Sequence, residues 1–239
     1  MEQGNPLPES DRNLFDYYAS GYHSVLNRAL APSGEAAQYF ARKRIRWLHN
    51  KLQEIEFAPT TVLDYGCGTG GSSPFLREIL HPSRILGVDI SPESLFYARR
   101  AYEGESIKFE NCQDFFAPSE FQLAFSNGVF HHIAAGQRPA ALRYIHDSLV
   151  PGGVFAFWEN NPWNPAARYI MAQCEFDKEA LPISPVETRK LLRSSGFEVL
   201  HTSSHFYFPR ALKWLRGLEP ALAHLPFGAQ YVVLARKPS

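Results

Sequence analysis

The sequence predicts an α/β protein with a doubly wound sheet of seven strands, mostly parallel with an antiparallel last strand. Short apolar or β-branched segments alternate with helical segments from residue 61 onward, which is typical of a parallel sheet covered on both faces. A glycine-rich segment directly follows the first of these strands and opens a helix. The chain has 239 residues, of which 45% are hydrophobic and 20% charged, so one globular domain with elaborations is expected.

Two helices are predicted before the first strand, over residues 11–30 and 34–55. The second helix places Phe40 and Leu48 on one apolar stripe at helical spacing. Its basic run, Arg42–Arg44, is predicted to lie on a solvent-exposed face. We expect these helices to form a lid.

The predicted strands follow in chain order at 61–64, 84–89, 107–109, 122–125, 154–158, 198–208 and 230–236. Ser91 is the expected N-cap of the helix after the second strand, and Ser184 with Glu187 forms a capping box later in the chain. A helix over residues 210–223 separates the last two strands, which could pair antiparallel around it. The predicted organisation is a helical lid at 1–56 and a main domain at 57–239 with insertions at 160–183 and 209–228.

The charge balance and the cysteines exclude several classes of partner. Lys plus Arg and Asp plus Glu both number 24, so the chain lacks the basic surplus of a protein that binds nucleic acid or an anionic membrane. We see no apolar run near the roughly 18–20 residues that cross a bilayer. The three cysteines are too scattered for a zinc cluster or a disulfide framework, and no metal site is predicted. These features predict a cytoplasmic protein.

The glycine-rich segment is ambiguous on its own. Gly66, Gly68 and Gly71 satisfy the dinucleotide-binding pattern G-x-G-x-x-G. Asp64, however, would repel a pyrophosphate, whereas it suits a ligand that carries an ammonium group and a sulfonium. Asp89, at the end of the second strand, can accept hydrogen bonds from both hydroxyls of a ribose. That ribose could belong to a nicotinamide or to a sulfonium nucleoside.

Five segments resemble, in order and spacing, the motifs of class I S-adenosylmethionine-dependent methyltransferases, in their small-molecule (type 11/12-like) branch. They are VLDYGCGTG at 62–70, GVDIS at 87–91, NCQDF at 111–115, SNGVFHHI at 126–133 and LVPGG at 149–153. The resemblance implies a Rossmann-like fold and methyl transfer from S-adenosyl-L-methionine, with S-adenosyl-L-homocysteine as product. The partner it implies is a small-molecule acceptor.

The resemblance also implies which residues bind the cofactor. Glycine-loop residues would lie behind the methionine moiety, an acid would reach its amino group, and a second acid would hold the ribose. Ile90 and Phe115 would lie on either side of the adenine, with Asp114 at its amino edge, and Asn127 would contact the methionine end. The other implied cofactor residues are Tyr18 in the lid, Asp64, Gly66, Cys67, Gly68, Gly70 and Asp89.

Two histidines and a glutamate are the candidate catalytic residues. His131 and His132 follow the fourth strand, and Glu159 ends the fifth, so all three fall at the carboxyl edge of the sheet. Histidine is the usual base for an alcohol or phenol near neutral pH. We expect His132 to be the base, supported by His131 and Glu159.

Candidate substrate-binding residues come from the lid and from the loop after the fifth strand: Tyr22, His23, Asn160 and Trp163. Residues 160–165 are similar to the Asn-Pro-Pro-aromatic signature of amino-directed methyltransferases. However, they follow the fifth strand rather than the fourth and lack the second proline. We therefore expect this loop to line the substrate pocket.

The leading function is O-methylation of a small organic acceptor in secondary metabolism or saccharide modification. The alternatives are N- or C-methylation, a nicotinamide oxidoreductase, and a cofactor-binding partner without turnover. The oxidoreductase would need a hydride-transfer site, and the Tyr-x-x-x-Lys pattern from Tyr39 to Lys43 precedes the glycine loop. Residues 210–218 are expected to cap the pocket or form a dimer face rather than contact a membrane, which leaves a monomer or a homodimer open.

Overall fold

A computed structural model of the protein describes residues 9–239, with side chains from Leu14 onward. Seven strands form one sheet, and they are β1 (Thr61–Tyr65), β2 (Arg84–Asp89), β3 (Ile107–Asn111), β4 (Phe121–Asn127), β5 (Leu149–Asn160), β6 (Glu198–His205) and β7 (Gln230–Arg236). The order across the sheet is β3-β2-β1-β4-β5-β7-β6. β7 runs antiparallel to both neighbours while the pairs among β1 to β5 are parallel, which confirms the predicted fold class.

The helices flank this sheet. They are α1 (Glu9–Tyr18), α2 (Tyr22–Leu30), α3 (Ala37–Glu54), α4 (Ser73–Leu80), α5 (Pro92–Tyr102), α6 (Arg138–Ser148), α7 (Pro165–Gln173), α8 (Pro185–Ser194) and α9 (Glu219–Leu222). The capping box of Ser184 with Glu187 and the Ser91 N-cap both form as predicted. Within the described range, no helix combines the length and the apolar character that crossing a membrane requires.

Two predicted helices are wrong in detail. The first is interrupted by a 3-10 turn at Ala19–Gly21, where the glycine weakens the helix, and it continues as α2. The segment after β6 is a 3-10 helix over Arg210–Leu218 with a kink at Leu212, followed by the single turn of α9. Gly217 and Pro220 disfavour a continuous α-helix there.

Helix α3 is part of the core beneath one face of the sheet. Ile45, Leu48 and Leu52 are buried there in one cluster with strand residues such as Trp158. Arg44 lies on the same buried face and is only 7% exposed. The prediction that the whole basic run is solvent-exposed is therefore wrong at Arg44, because the core stripe of the helix includes that position.

Candidate active site

A cavity of about 610 Å³ lies at the carboxyl edge of the sheet, beneath α2 and α3. Its size falls within the roughly 300–1,000 Å³ of small-molecule sites. Its wall includes Phe15, Tyr22, His23, Arg44, Asp64, Gly66, Cys67, Gly68, Asp89, Ile90, Asn127, His131, His132, Asn160, Phe176, Asp177 and Gln230. Most of the predicted site residues therefore meet in one space.

The glycine loop after β1 is held by backbone geometry. Gly66 has φ +69°, and a Cβ placed on it would lie 2.4 Å from Val129, so a larger residue does not fit without displacement. The N–H groups of Gly66 and Cys67 both donate to the carbonyl of Val88 at 2.8 and 3.0 Å. The loop is thereby tied to β2 and presents its backbone to the cavity.

Asp89 is fixed at the end of β2 by backbone donors. Its Oδ2 accepts the N–H of Gly68 at 2.8 Å, and its Oδ1 accepts the N–H of Ser91 at 2.9 Å. Burial raises the pKa of Asp89, and these hydrogen bonds oppose the shift. The result is an oriented carboxylate in the cavity wall, at the position predicted for the ribose.

Asp64 is the second acid beside the loop, and it is 2% exposed. The hydroxyl of Ser73 donates to its Oδ2 at 2.9 Å. Burial raises the pKa of Asp64 to about 7, against the lowering effect of that hydrogen bond. A cation in the cavity would stabilise the ionised form, because an opposite charge lowers a carboxyl pKa.

His131, in the cavity wall, forms a buried pair with Glu159, which lies behind the wall. Nδ1 of His131 lies 2.5 Å from Oε2 of Glu159, whose Oε1 accepts the N–H of Phe130 at 2.7 Å. Burial lowers the pKa of His131, but the Glu159 charge, with help from Asp177, outweighs it and raises the pKa to about 10. His131 is thus held as an imidazolium.

Asp177 connects this pair to His132. Its Oδ1 lies 3.2 Å from Nε2 of His132 and 3.4 Å from Nε2 of His131. Burial and the neighbouring His131 charge lower the pKa of His132, and Asp177 only partly opposes this. His132 is therefore the neutral imidazole of the cluster, and Phe15 packs edge-on against it at 4.9 Å.

The same cluster has the composition of a metal site. His131, His132 and Asp177 each offer one ligand atom, and these atoms lie within 4.8 Å of one another. The sequence predicts no such site. The contacts of 3.2 and 3.4 Å are also those of an ion-paired cluster, and we interpret them in that way.

Three predicted substrate residues line the cavity with different neighbours. Tyr22 stacks on Phe176 at 4.9 Å. Nε2 of His23 lies 3.3 Å from the Thr69 hydroxyl, which places it beside the glycine loop rather than near the histidine pair. Asn160 lines the cavity at the end of β5.

Trp163 and Tyr18 lie outside the cavity wall. Trp163 is 46% exposed, because the side-chain amide of Asn161 donates to Pro226 and Gly228 and fixes the loop with this ring outward. Tyr18 packs against Phe176 from outside the cavity.

Three predicted cofactor residues also lie away from the cavity wall. A Cβ on Gly70 would lie 3.0 Å from Phe109, so this glycine permits close packing. Asp114 is exposed, and Phe115 packs against the core. An adenine site formed by Asp114 and Phe115 therefore stays a prediction.

Arg44 and Asp177 are among the cavity residues that the sequence interpretation does not include. Arg44 lies four residues after Phe40 and four before Leu48, so the predicted apolar stripe already placed it inward. Asp177 lies in the 3-10 helix Glu175–Asp177, inside the predicted insertion. We find no pattern in the sequence that connects it to the histidine pair.

The comparisons with known proteins concern the family and the fold of this chain. Residues 62–153 match the family model described as "Methyltransferase domain", which spans β1 to the first half of β5. Residues 62–153 therefore form a class I S-adenosylmethionine-dependent methyltransferase domain.

Named relatives of this chain include trans-aconitate 2-methyltransferases. The protein from Methylobacterium nodulans is 34% identical over 125 residues, covering 51% of this chain and 48% of that protein. The one from Sinorhizobium fredii is 25% identical over 218 residues, covering 81% and 83%. The first relatives are matched over about half of their length, at 56%, 48% and 57%.

Solved structures support the fold of the chain. An S-adenosylmethionine-dependent methyltransferase from Mesorhizobium loti has a TM-score of 0.56 at 24% identity, covering 74% of this chain and 90% of that chain. The cyclase SpnF has a TM-score of 0.65 at 16% identity, covering 98% and 99%. Because the second protein is described as a cyclase, this likeness concerns the fold and leaves the reaction to the site.

Proposed function

We propose that the protein transfers a methyl group from S-adenosylmethionine to an oxygen atom of a small organic acceptor. The observation that carries the proposal is the meeting of the glycine loop and Asp89 with the His131–His132 pair in one cavity. The donor half of the cavity consists of Asp64, residues 66–69, Asp89 and Asn127. The acceptor half consists of Arg44, the histidine pair, Asn160, Asp177 and Gln230.

The donor half fits the charge and shape of the proposed cofactor. Asp89 faces the cavity with an oriented carboxylate that can accept from ribose hydroxyls, and Asp64 can pair with an ammonium group. Gly66 and Gly68 carry no side chains that would keep a ligand from the backbone. The bound cofactor would supply a methyl group already activated on a sulfonium.

The residues of the acceptor half align the nucleophile and exclude water. His132 is the proposed base, because it is the neutral imidazole and faces the cavity. His131 and Glu159 act as positioning residues, since their buried pair fixes the segment that carries His132. Asp177 orients the His132 ring through its contact with Nε2.

The test of the base uses methyl-labelled S-adenosylmethionine with a panel of phenols, hydroxy acids and polycarboxylic acids. With a hydroxyl acceptor, His132→Ala is expected to keep less than about a tenth of kcat/KM, a loss above 1.4 kcal/mol. The exposed His224→Ala is the matched control and is expected to stay at the wild-type value. Full activity of His132→Ala would overturn the base, and a methylated nitrogen or carbon in the product would overturn the assignment to oxygen.

A carboxylate is the second candidate for the methylated oxygen, because several relatives are named for trans-aconitate, a tricarboxylic acid. A carboxylate is already ionised near neutral pH and needs no base. For such an acceptor, His132→Ala changes KM more than kcat, and kcat does not vary with pH between 6 and 8. The pH profile therefore separates the two oxygen acceptors.

A further inference from the structure

Arg44 is a buried arginine that faces the cavity without a carboxylate partner. Its Nη1 donates to Oε1 of Gln230 at 2.9 Å, while its Nε is buried and makes no hydrogen bond. Within residues 14–239, no ion pair includes Arg44. Nη2 makes no hydrogen bond to a described residue and is not among the fully buried atoms, so the guanidinium still has a donor that a ligand can reach.

A buried cation without a counter-ion destabilises a folded protein. Burial lowers the pKa of Arg44 to about 10, so the group still carries its charge at pH 7. Tyr22 is the neighbour whose charge, when ionised, would stabilise the Arg44 cation. Burial raises the pKa of Tyr22, so this phenol is neutral and supplies no negative charge. The positive charge at the cavity wall is uncompensated.

Two other arginines show what a structural role looks like in this chain. Arg138 is 8% exposed, and it donates to the carbonyls of Phe130, Ile133 and Leu181. Arg216, also in the cavity wall, pairs with Glu35 at 2.8 Å. Arg44 has neither a set of carbonyls nor a carboxylate, so its charge is not explained by the fold.

The position of Arg44 assigns it to the acceptor half. Its partner Gln230 is the first residue of β7 and pairs with Asn160 at the end of β5, whose Oδ1 accepts from Nε2 of Gln230 at 2.9 Å. With β4 and β5 between them, β7 lies about 14 Å from β1, since adjacent strands are roughly 4.8 Å apart. The guanidinium is therefore held on the side of Glu159 and the histidine pair.

We propose that Arg44, oriented by Gln230, binds a carboxylate of the acceptor, so that the natural acceptor is an organic acid. This inference rests on the proposed function, because it assigns the second ligand of the same cavity. A guanidinium forms charge-assisted hydrogen bonds to a carboxylate, and these are stronger than its hydrogen bonds to a neutral acceptor. The other possible source of a carboxylate is the methionine moiety of the cofactor, and the experiment distinguishes the two.

The variants are Arg44→Gln and Arg44→Lys, with Arg46→Gln as the matched control, because Arg46 is an exposed arginine on the same helix. Binding of trans-aconitate, fumarate and 4-hydroxybenzoate, each beside its neutral methyl ester, is measured by calorimetry on protein saturated with S-adenosylhomocysteine. We expect at least one acid to bind tighter than its ester. The affinity for that acid is expected to fall at least thirtyfold in Arg44→Gln. Arg44→Lys is expected to lose less, and Arg46→Gln is expected to stay within twofold.

The affinity for the cofactor supplies the second readout. The affinities of wild type and Arg44→Gln for S-adenosylhomocysteine are expected to agree within threefold. The same is expected for methylthioadenosine, which lacks the amino-acid moiety. If Arg44→Gln weakens S-adenosylhomocysteine but not methylthioadenosine, Arg44 binds the cofactor's own carboxylate and the inference is wrong while the proposed function stands. The inference is also wrong if no acid binds tighter than its ester, or if Arg44→Gln keeps the acid affinity. Failure of wild type to bind S-adenosylhomocysteine would remove the proposed function itself.

The thermal midpoint of each variant checks its fold. Because the charge of Arg44 is uncompensated in the free protein, Arg44→Gln is expected to unfold at or above the wild-type temperature. A large fall in its midpoint would show that Arg44 is a structural residue and would contradict the inference.

Discussion

The donor half and the acceptor half of the cavity are built in different ways. In the donor half, the contacts join the ends of two adjacent strands and are largely backbone-mediated, as where Asp89 accepts from the N–H groups of Gly68 and Ser91. In the acceptor half, side chains contact side chains across long stretches of sequence. Arg44 reaches Gln230, and His132 lies beside Asp177. The first arrangement serves one constant ligand, whereas the second can change its ligand with a few substitutions.

The largest effect is expected when the buried pair of His131 and Glu159 is broken. Glu159→Ala should lower the free energy of unfolding by about 3–5 kcal/mol, because it leaves His131 as a buried charge without its partner. Urea unfolding followed by tryptophan fluorescence measures this, and Glu159→Gln, which keeps the shape, should lose less. The fraction that remains folded should still bind S-adenosylhomocysteine. A loss under 1 kcal/mol would show that the pair does not hold the acceptor half together.

The next largest effect is expected in the donor half. Asp89→Ala should lower the affinity for S-adenosylhomocysteine about 100-fold, or about 2.7 kcal/mol. The substitution removes the acceptor for the ribose hydroxyls and the carboxylate that holds the N–H of Gly68. The affinity of Asp89→Asn should lie between those of wild type and Asp89→Ala. Calorimetry on protein with an unchanged thermal midpoint gives the comparison. An unchanged affinity would place the ribose elsewhere.

Asp64 should make cofactor binding depend on pH. With a pKa of about 7 in the free protein, its ionised fraction rises about tenfold between pH 6 and pH 8, and S-adenosylhomocysteine affinity should rise with it. The free energy of unfolding follows the opposite trend. Because folding raises the pKa of Asp64 from its ordinary value of 3.8, the protonated carboxyl stabilises the fold fully below pH 3.8, and this contribution is lost as the pH rises through 7. Both trends should disappear in Asp64→Asn, and their persistence there would assign them to another group.

The smallest effect is expected from removing metal ions. Methyl transfer from a sulfonium needs no Lewis acid, and Asp177 already contacts both imidazoles at 3.2 and 3.4 Å. Dialysis against a chelator should therefore change the transfer rate by less than about twofold. Loss of activity, restored by a divalent ion, would make the histidine cluster a metal site.

The contrast between the halves also explains what could be predicted from the sequence. Strand β7 falls at its predicted bounds, and the glycine loop and Asp89 occupy the predicted edge, because turn chemistry and strand periodicity are local properties. The charge pattern of residues 42–44 predicts a surface position for Arg44, whereas its place in the apolar stripe predicts the buried position that the structure shows. Asp177 depends on how an insertion folds back over the sheet, which no local pattern encodes.

The most direct test of the account is a calorimetric titration of the wild-type protein with S-adenosylhomocysteine and, separately, with NAD. The account predicts micromolar binding of S-adenosylhomocysteine, about −8 kcal/mol, and no detectable binding of NAD. Binding of NAD without S-adenosylhomocysteine, or of neither ligand, would contradict the assignment of the donor half and the reaction built on it.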